Sequence, residues 1–218
     1  MLNCNIQCDV PEAKKFRFVA GNLSLNFTNT VGGKRGAIAR ENLHTYGVVV
    51  SWGLQAGLLD DALARTLVKE AEGRPTEAAS VLNRAIELRE AIYRIFFAFV
   101  ENGSPSLEDI QVLNRELASG LSRLRVTTAK ERGHFEWDWA KDEKSLDQVL
   151  GPIARSAAEL LTSHHAAHQV RQCGGDNCGW LFLDASKNHS RHWCDMRDCG
   201  NRAKVRRHRL RQRREASG

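Results

Sequence analysis

Cys173, Cys178, Cys194 and Cys199 form two pairs, each with four residues between its members, and fifteen residues separate the pairs. Thiolates bring bond strength and negative charge to a soft divalent cation, and two such pairs supply the tetrahedron that zinc prefers. Each pair lies in a short turn, CGGDNC and CDMRDC, whose backbone N–H groups can point at sulfur. Four thiolates leave no position for a substrate, so the expected ion is one structural Zn2+ and not a catalytic one. The competing reading is four reduced cysteines without metal. Cys4 and Cys8, near the start of the chain, read as incidental.

The stretch after the last cysteine carries a second chemistry. Residues 173–218 hold 11 Lys/Arg against 5 Asp/Glu, while the residues before them balance 21 against 21. The whole net charge of +6 therefore sits at this end. Such asymmetry is the footprint of a polyanion partner, nucleic acid first. With Asn201 as N-cap and a helix from Arg202, about 100° per residue puts Arg202, Arg206, Arg209 and Arg213 on one stripe. Cys199 then lies beside the positive end of that helix, which favours its thiolate. Lys204, Arg207 and Arg211 form a second stripe, with Ala203 and Leu210 between as a narrow ridge to dock on the module. Cations on both flanks can reach two phosphate strands, as a helix in a groove must. The bland alternative is a solvated tail that frays because its arginines repel one another.

His164 and His168 share a helix face at a spacing zinc enzymes use, but His165 stands where those enzymes place a glutamate. Both a surface or boundary role and a metal role stay open for His164, His165 and His168. His189, His192 and His208 could be drafted as base and ligands of a metal-dependent nuclease of the His-Asn-His type. That site needs an open metal position and acidic partners, which are sparse here. VGGKRG (31–36) lacks the Walker spacing and reads as a loop.

The elements that must position these groups are mostly helical. Residues 16–30 alternate apolar and polar types about Gly21, which fits a hairpin or a strand leading into a helix. ENLHTYGVVVSWGLQAGLL, with Trp52 facing the core, and DDALARTLVKEAEG, ending at Gly73, read as two helices. RPTEAASVLNRAIELREAIYRIFFAFVENG is a longer one. Pro75 and Glu77 mark its first turn, and apolar residues recur at three to four from Leu82 to Phe99. SPSLEDIQVLNRELASG is another. LSRLRVTTAKERGHFEWDWA then changes to period two, predicting a β-hairpin packed on the helices. SLDQVLGPIARSAAELLTSHHAAHQV returns to helix and runs into Cys173. WLFLDASKNHSRHW, between the cysteine pairs, reads as a hairpin turning at Ser186–His189. Knuckle, hairpin, then a knuckle at a helix start is a treble-clef-like plan.

Cys173…Cys178, Phe182-x-Asp184-x-Ser186-x-Asn188, Arg191-x-Trp193-Cys194 and Cys199-Gly200-Asn201-Arg202-x-Lys204 together resemble the CGNR zinc finger. In that family the finger follows a helical ABATE domain, a stress-induced transcription regulator. Gly21-Asn22-Leu23-x-Leu25-Asn26-Phe27-x-Asn29-Thr30 resembles the ABATE opening, with Asn26 where an acid is expected. The resemblance implies zinc ligation by the four cysteines and DNA contact by the basic helix. Phe182 and Trp193 suit the apolar centre of a module too small to fold without metal. Asp184, Ser186 and Asn188 suit turn capping, with Arg191 bridging to Asp184.

The expected architecture is mainly α with a small β-hairpin. A helical, ABATE-like domain (1–170) precedes a treble-clef-like Zn(Cys)4 finger with a basic helix (171–218). The expected function is DNA-binding transcription regulation, not catalysis. The nuclease, or a zinc module binding RNA or protein, stands as the alternative. Expected partners are DNA, a small-molecule effector of the helical domain and a second copy. The start lacks the apolar core of a secretory signal and no run reaches about 18 apolar residues, so a cytoplasmic, nucleoid-associated protein off the membrane is expected.

Overall fold

The computed structural model describes residues 15–36, 39–129, 131, 133–140, 142 and 145–215. Cys4 and Cys8 lie outside these residues, as does the side chain of His164.

Residues 15–20 run extended, and helix α1 (Leu23–Thr28) starts where the Asn22 side chain accepts the Leu25 N–H. The alternation over 16–30 thus marks no strand among the described residues; it marks an extended lead into a helix. Thr45 caps α2 (Tyr46–Gln55), Asp60 caps α3 (Asp61–Gly73), and Pro75 opens α4 (Pro75–Val100). Proline is at home there because the first-turn N–H has no intrahelical acceptor. Ser106 caps α5 (Leu107–Leu121) through the Asp109 N–H.

The long helix α4 is the spine. Leu88, Ile92, Ile95 and Phe96 are wholly buried, and α1, α2, α5 and α6 (Leu150–Thr162) pack around it. Phe27 of α1 meets Trp52 of α2 edge-on at 4.9 Å. One cation sits inside this apolar run: Arg89 is 2% exposed and pairs with Glu41 at 2.7 Å and Glu90 at 2.8 Å. Burial alone would raise the Glu41 and Glu90 carboxyls, but hydrogen bonds from Arg89 to Glu41 and, ahead of Arg89, from Arg35 to Glu90 outweigh it and hold both below the usual range.

Helices α5 and α6 touch backbone to backbone. A β-carbon on Gly120 would lie 2.5 Å from the Gly151 Cα. Alanine at Gly120 gains about 1 kcal/mol of helix propensity. The helices must separate to admit it, at a cost of about 1–3 kcal/mol, more if the shift spreads. Gly120→Ala should therefore lower the urea midpoint with an unchanged m-value; a stabilised variant would refute the close crossing.

The strands β1 (Leu124–Thr128) and β2 (Phe135–Trp139) pair antiparallel as the expected hairpin, with Val126 opposite Trp137. At the near end the Trp139 ring lies over Gly151, and farther out the Arg155 guanidinium of α6 reaches over the Trp137 ring at 5.1 Å. Val126, Phe135 and Trp137 are exposed, so the hairpin does not lie on the helices along its length. The expected continuous helix into Cys173 also breaks. Ser163 ends α6 and caps a single turn, α7 (His164–Ala167), after which Val170–Gln172 form strand β3. His168 then meets Phe99 edge-on and His165 faces His189, so the described rings do not gather on one metal-binding face. No helix among the described residues is long and apolar enough to cross a membrane.

Candidate metal centre and basic helix

Strand β3 pairs antiparallel with β4 (Leu181–Leu183), and the loop between them carries the first cysteine pair. The Cys173 N–H to Trp180 carbonyl bond extends the ladder by one rung, and the Cys178 N–H to Gly175 carbonyl bond closes the turn. The finger's hairpin is therefore β3–β4 with the knuckle at its tip. The expected hairpin inside 180–193 does not form, because the segment after Asp184 returns without strand pairing. Its return is fixed by a buried carboxylate: Asp184 accepts the Ser186 N–H and hydroxyl and the Arg191 N–H. Burial would raise the Asp184 carboxyl, but these donors hold it below its ordinary value.

The second pair is set by Asp195. Its side chain accepts the Arg197 N–H at 2.7 Å and starts a π-helical turn, Met196–Gly200, that continues as α8 (Asn201–Glu215). The cap is thus Asp195 and not Asn201, which already has helical angles. Cys199 lies inside the turn, where Arg202 donates to its sulfur at 3.1 Å.

The four Sγ atoms lie within 4.8 Å of one another, and each of these four cysteines is buried. The Cys194 N–H points at the Cys173 sulfur at 3.3 Å. A β-carbon on Gly175 would stand 3.3 Å from the Cys199 sulfur, so the glycine leaves the cluster its room. Left as thiols, the cysteines do not ionise together. Hydrogen bonding from Cys178 and Cys194 pulls Cys173 down to about 2, the same interaction with Cys173 pushes Cys178 up to about 12, and Cys194 goes well above the thiol range. A divalent cation removes that conflict, since it lets all four be thiolates. The donor set fits zinc.

Residues 21–164 match the family model ABATE, described as "Putative stress-induced transcription regulator". The chain belongs to the ABATE family. Residues 169–212 match the CGNR zinc finger, and this match with the four-cysteine cluster supports a structural zinc ion in the ABATE chain. Both families are regulatory or zinc-finger types rather than enzymatic ones. No curated protein matches the chain.

The finger is seated on the ABATE opening. Asn29 uses both ends of its amide on Leu181, and the Leu183 N–H reaches the Ala20 carbonyl. The Trp180 indole donates to the Val31 carbonyl at 2.8 Å. Arg191 does not bridge to Asp184 through its guanidinium. It lies over the Phe182 ring at 4.4 Å and donates to the carbonyls of Val19, Trp193 and Cys194. Arg17 pairs with Asp195 and Asp198 beneath the root of α8. Sequence reasoning passed over Arg17 and Asn29 as anchors. The one signal was that Asn29 falls inside the ABATE-like opening.

Helix α8 stands away from the rest with no buried residue. Leu210 is exposed and Ala203 only half-buried, so the expected docking ridge is absent. The two stripes differ. Arg202 also bridges Asp198, and Arg206 pairs with Asp176 of the knuckle. Lys204, Arg207 and Arg211 face an open groove beside Trp193 and Met196, with Arg211 reaching Glu215. Lys204, Arg207 and Arg209 have no ion-pair partner among the described residues. Arg213 continues the first stripe on the exposed surface.

Proposed function

We propose that the chain is a DNA-binding transcription regulator. Cys173, Cys178, Cys194 and Cys199 hold one structural zinc, and α8 carries the phosphate contacts. The observation that carries this reading is a cationic helix with no buried residue, rooted directly in the four-cysteine cluster. A helix held through its first two turns leaves the rest free to enter a groove, and exposed arginines form charge-assisted bonds to phosphate. Arg202, Lys204, Arg206, Arg207, Arg209, Arg211 and Arg213 are the proposed contacts. The surface pair of Arg206 with Asp176 is worth less than about 1 kcal/mol and yields readily to a phosphate. Residues 1–170 form the part that takes an effector or a second copy, and 171–218 the part that reads DNA. The protein works in the cytoplasm, on the nucleoid when bound. Genome-wide mapping of bound DNA tests the reading: discrete sites support it, and absence of enrichment over a Cys194→Ser control removes it.

Catalysis is not part of this proposal. His189 holds the Asp184 carbonyl through Nδ1, His192 lies against the Trp193 ring, and His208 lines the groove beside α8. Among the described residues the cysteine cluster is the one group arranged to hold a metal. Supercoiled plasmid incubated with the pure protein and Mg2+ should stay intact on a gel; nicking that disappears in His189→Ala would restore the nuclease reading.

A further inference from the structure

A recess of about 180 Å3 opens where the ABATE opening meets the finger. At about 30 Å3 per water it has room for roughly six waters, below the about 300–1,000 Å3 of sites for drug-sized ligands. It is the size of a small metabolite.

The lining is cationic and rich in N–H groups. Lys15, Arg17 and Arg40 surround the recess, and among the described residues no carboxylate lines it. Lys15 and Arg40 have no ion-pair partner among the described residues. A β-carbon placed on Gly32 would lie 3.5 Å from both Nε and Nη2 of Arg40 and 3.6 Å from Nδ2 of Asn42. The Arg40 guanidinium therefore lies against Gly32, where a larger residue would crowd it, while the Asn42 amide beside it already donates to the Thr30 carbonyl. Asn26 adds an amide to the lining, and its Oδ1 accepts the Ala20 N–H at 2.9 Å, which fixes that side chain. Trp180 of the finger closes one side, held by its bond to Val31 and flanked by the Arg17 guanidinium at 5.9 Å.

We propose that this recess binds a small oxyanion, a phosphate or carboxylate, whose charged group is held by Arg40, Lys15 and the Asn26 amide. The proposal rests on the effector-binding reading of the helical part and names the effector's chemistry. Two cations with no ion-pair partner among the described residues, Lys15 and Arg40, can form charge-assisted hydrogen bonds to such an anion. The position also gives occupancy a route to the DNA-binding helix. Arg17 lines the recess and at the same time grips Asp195 and Asp198, and Asp198 bridges onward to Arg202. An anion that draws on Arg17 competes with the two carboxylates that anchor the start of α8.

The test follows the Trp180 indole N–H by NMR in the 15N-labelled, zinc-loaded full chain, assigned with Trp180→Phe. Inorganic phosphate and succinate are titrated separately at constant ionic strength, without DNA. The expected result is a saturable shift at Trp180 with at least one of the two anions. Removing a charge-assisted hydrogen bond in Arg40→Ala should weaken it about tenfold or more. Lys15→Ala should weaken it in the same direction. The proposal is overturned if neither anion saturates, if both variants bind as the parent does, or if the shifts saturate on α8 while Trp180 stays still. Because no DNA is present, failure here leaves DNA binding untouched, and failure to bind DNA leaves this result untouched.

Discussion

Cys194→Ser should leave the chain without stoichiometric zinc and make it much less stable. Elemental analysis of the parent should give one zinc per chain. The Cys194 sulfur lies 3.7 Å from Cys178 and 3.6 Å from Cys199, so it joins the two pairs and its loss opens both. The damage does not stay in the finger. Leu181 and Phe182, next to the knuckle, are 0% exposed and belong to one core with α1 and α4. If β3–β4 loosens without metal, each of these side chains returns to water at about 1.5–3 kcal/mol, about 3–6 together. That is a large share of the roughly 5–15 kcal/mol that holds a domain. The remaining helices keep Leu88, Ile92 and Phe96 as a centre, so most of the far-UV helical signal should survive at 25 °C while the melting transition moves down. Chelation of the parent should reproduce the shift. Retained zinc, or an unchanged melt in the zinc-free variant, would sink the assignment.

The second large effect is on DNA. Arg207→Ala/Arg209→Ala removes one cation from each flank of α8, and neither has an ion-pair partner among the described residues. Every arginine that no longer neutralises a phosphate should reduce the salt slope of log K by about 0.9, so the pair should flatten it by about two units. At about 0.15 M salt that corresponds to roughly thirtyfold weaker binding. Arg206→Ala is expected to act less cleanly, since it also frees Asp176 on the knuckle. The zinc-loaded variant is the fair comparison because neither substituted residue is a thiol or buried. An unchanged affinity and slope would show that the binding surface lies away from this helix.

Much of the fold was legible in the chain because its signals are local. Pro75 at a first turn, the apolar recurrence through α4, and period two over 124–139 are decided by neighbours within a few residues. The same holds for the cysteine pairs, whose four-residue spacing fits a tight turn and whose chemistry admits few uses. The charge asymmetry needed only counting. What failed locally failed where two signals overlapped. Asp195 displaced Asn201 as the cap because a π turn, which has no strong sequence signature, extends the helix backward by five residues.

Only the tertiary structure decided what the finger rests on and which cations remain open. Asn29 and Leu181 are 152 residues apart, and nothing in either neighbourhood announces that one amide will satisfy the other's backbone. Arg17 and Asp195 are 178 apart, and Arg17 reads as one more exposed arginine until the chain closes. The recess formed by Lys15, Arg40, Asn26 and Trp180 draws on both ends of the sequence. Spacing and periodicity carry information over a turn or two of chain, whereas ion pairing and cavity shape depend on which distant surfaces meet. The sequence therefore determined the metal chemistry and the basic helix, and the folded chain determined how they are anchored to the helical part.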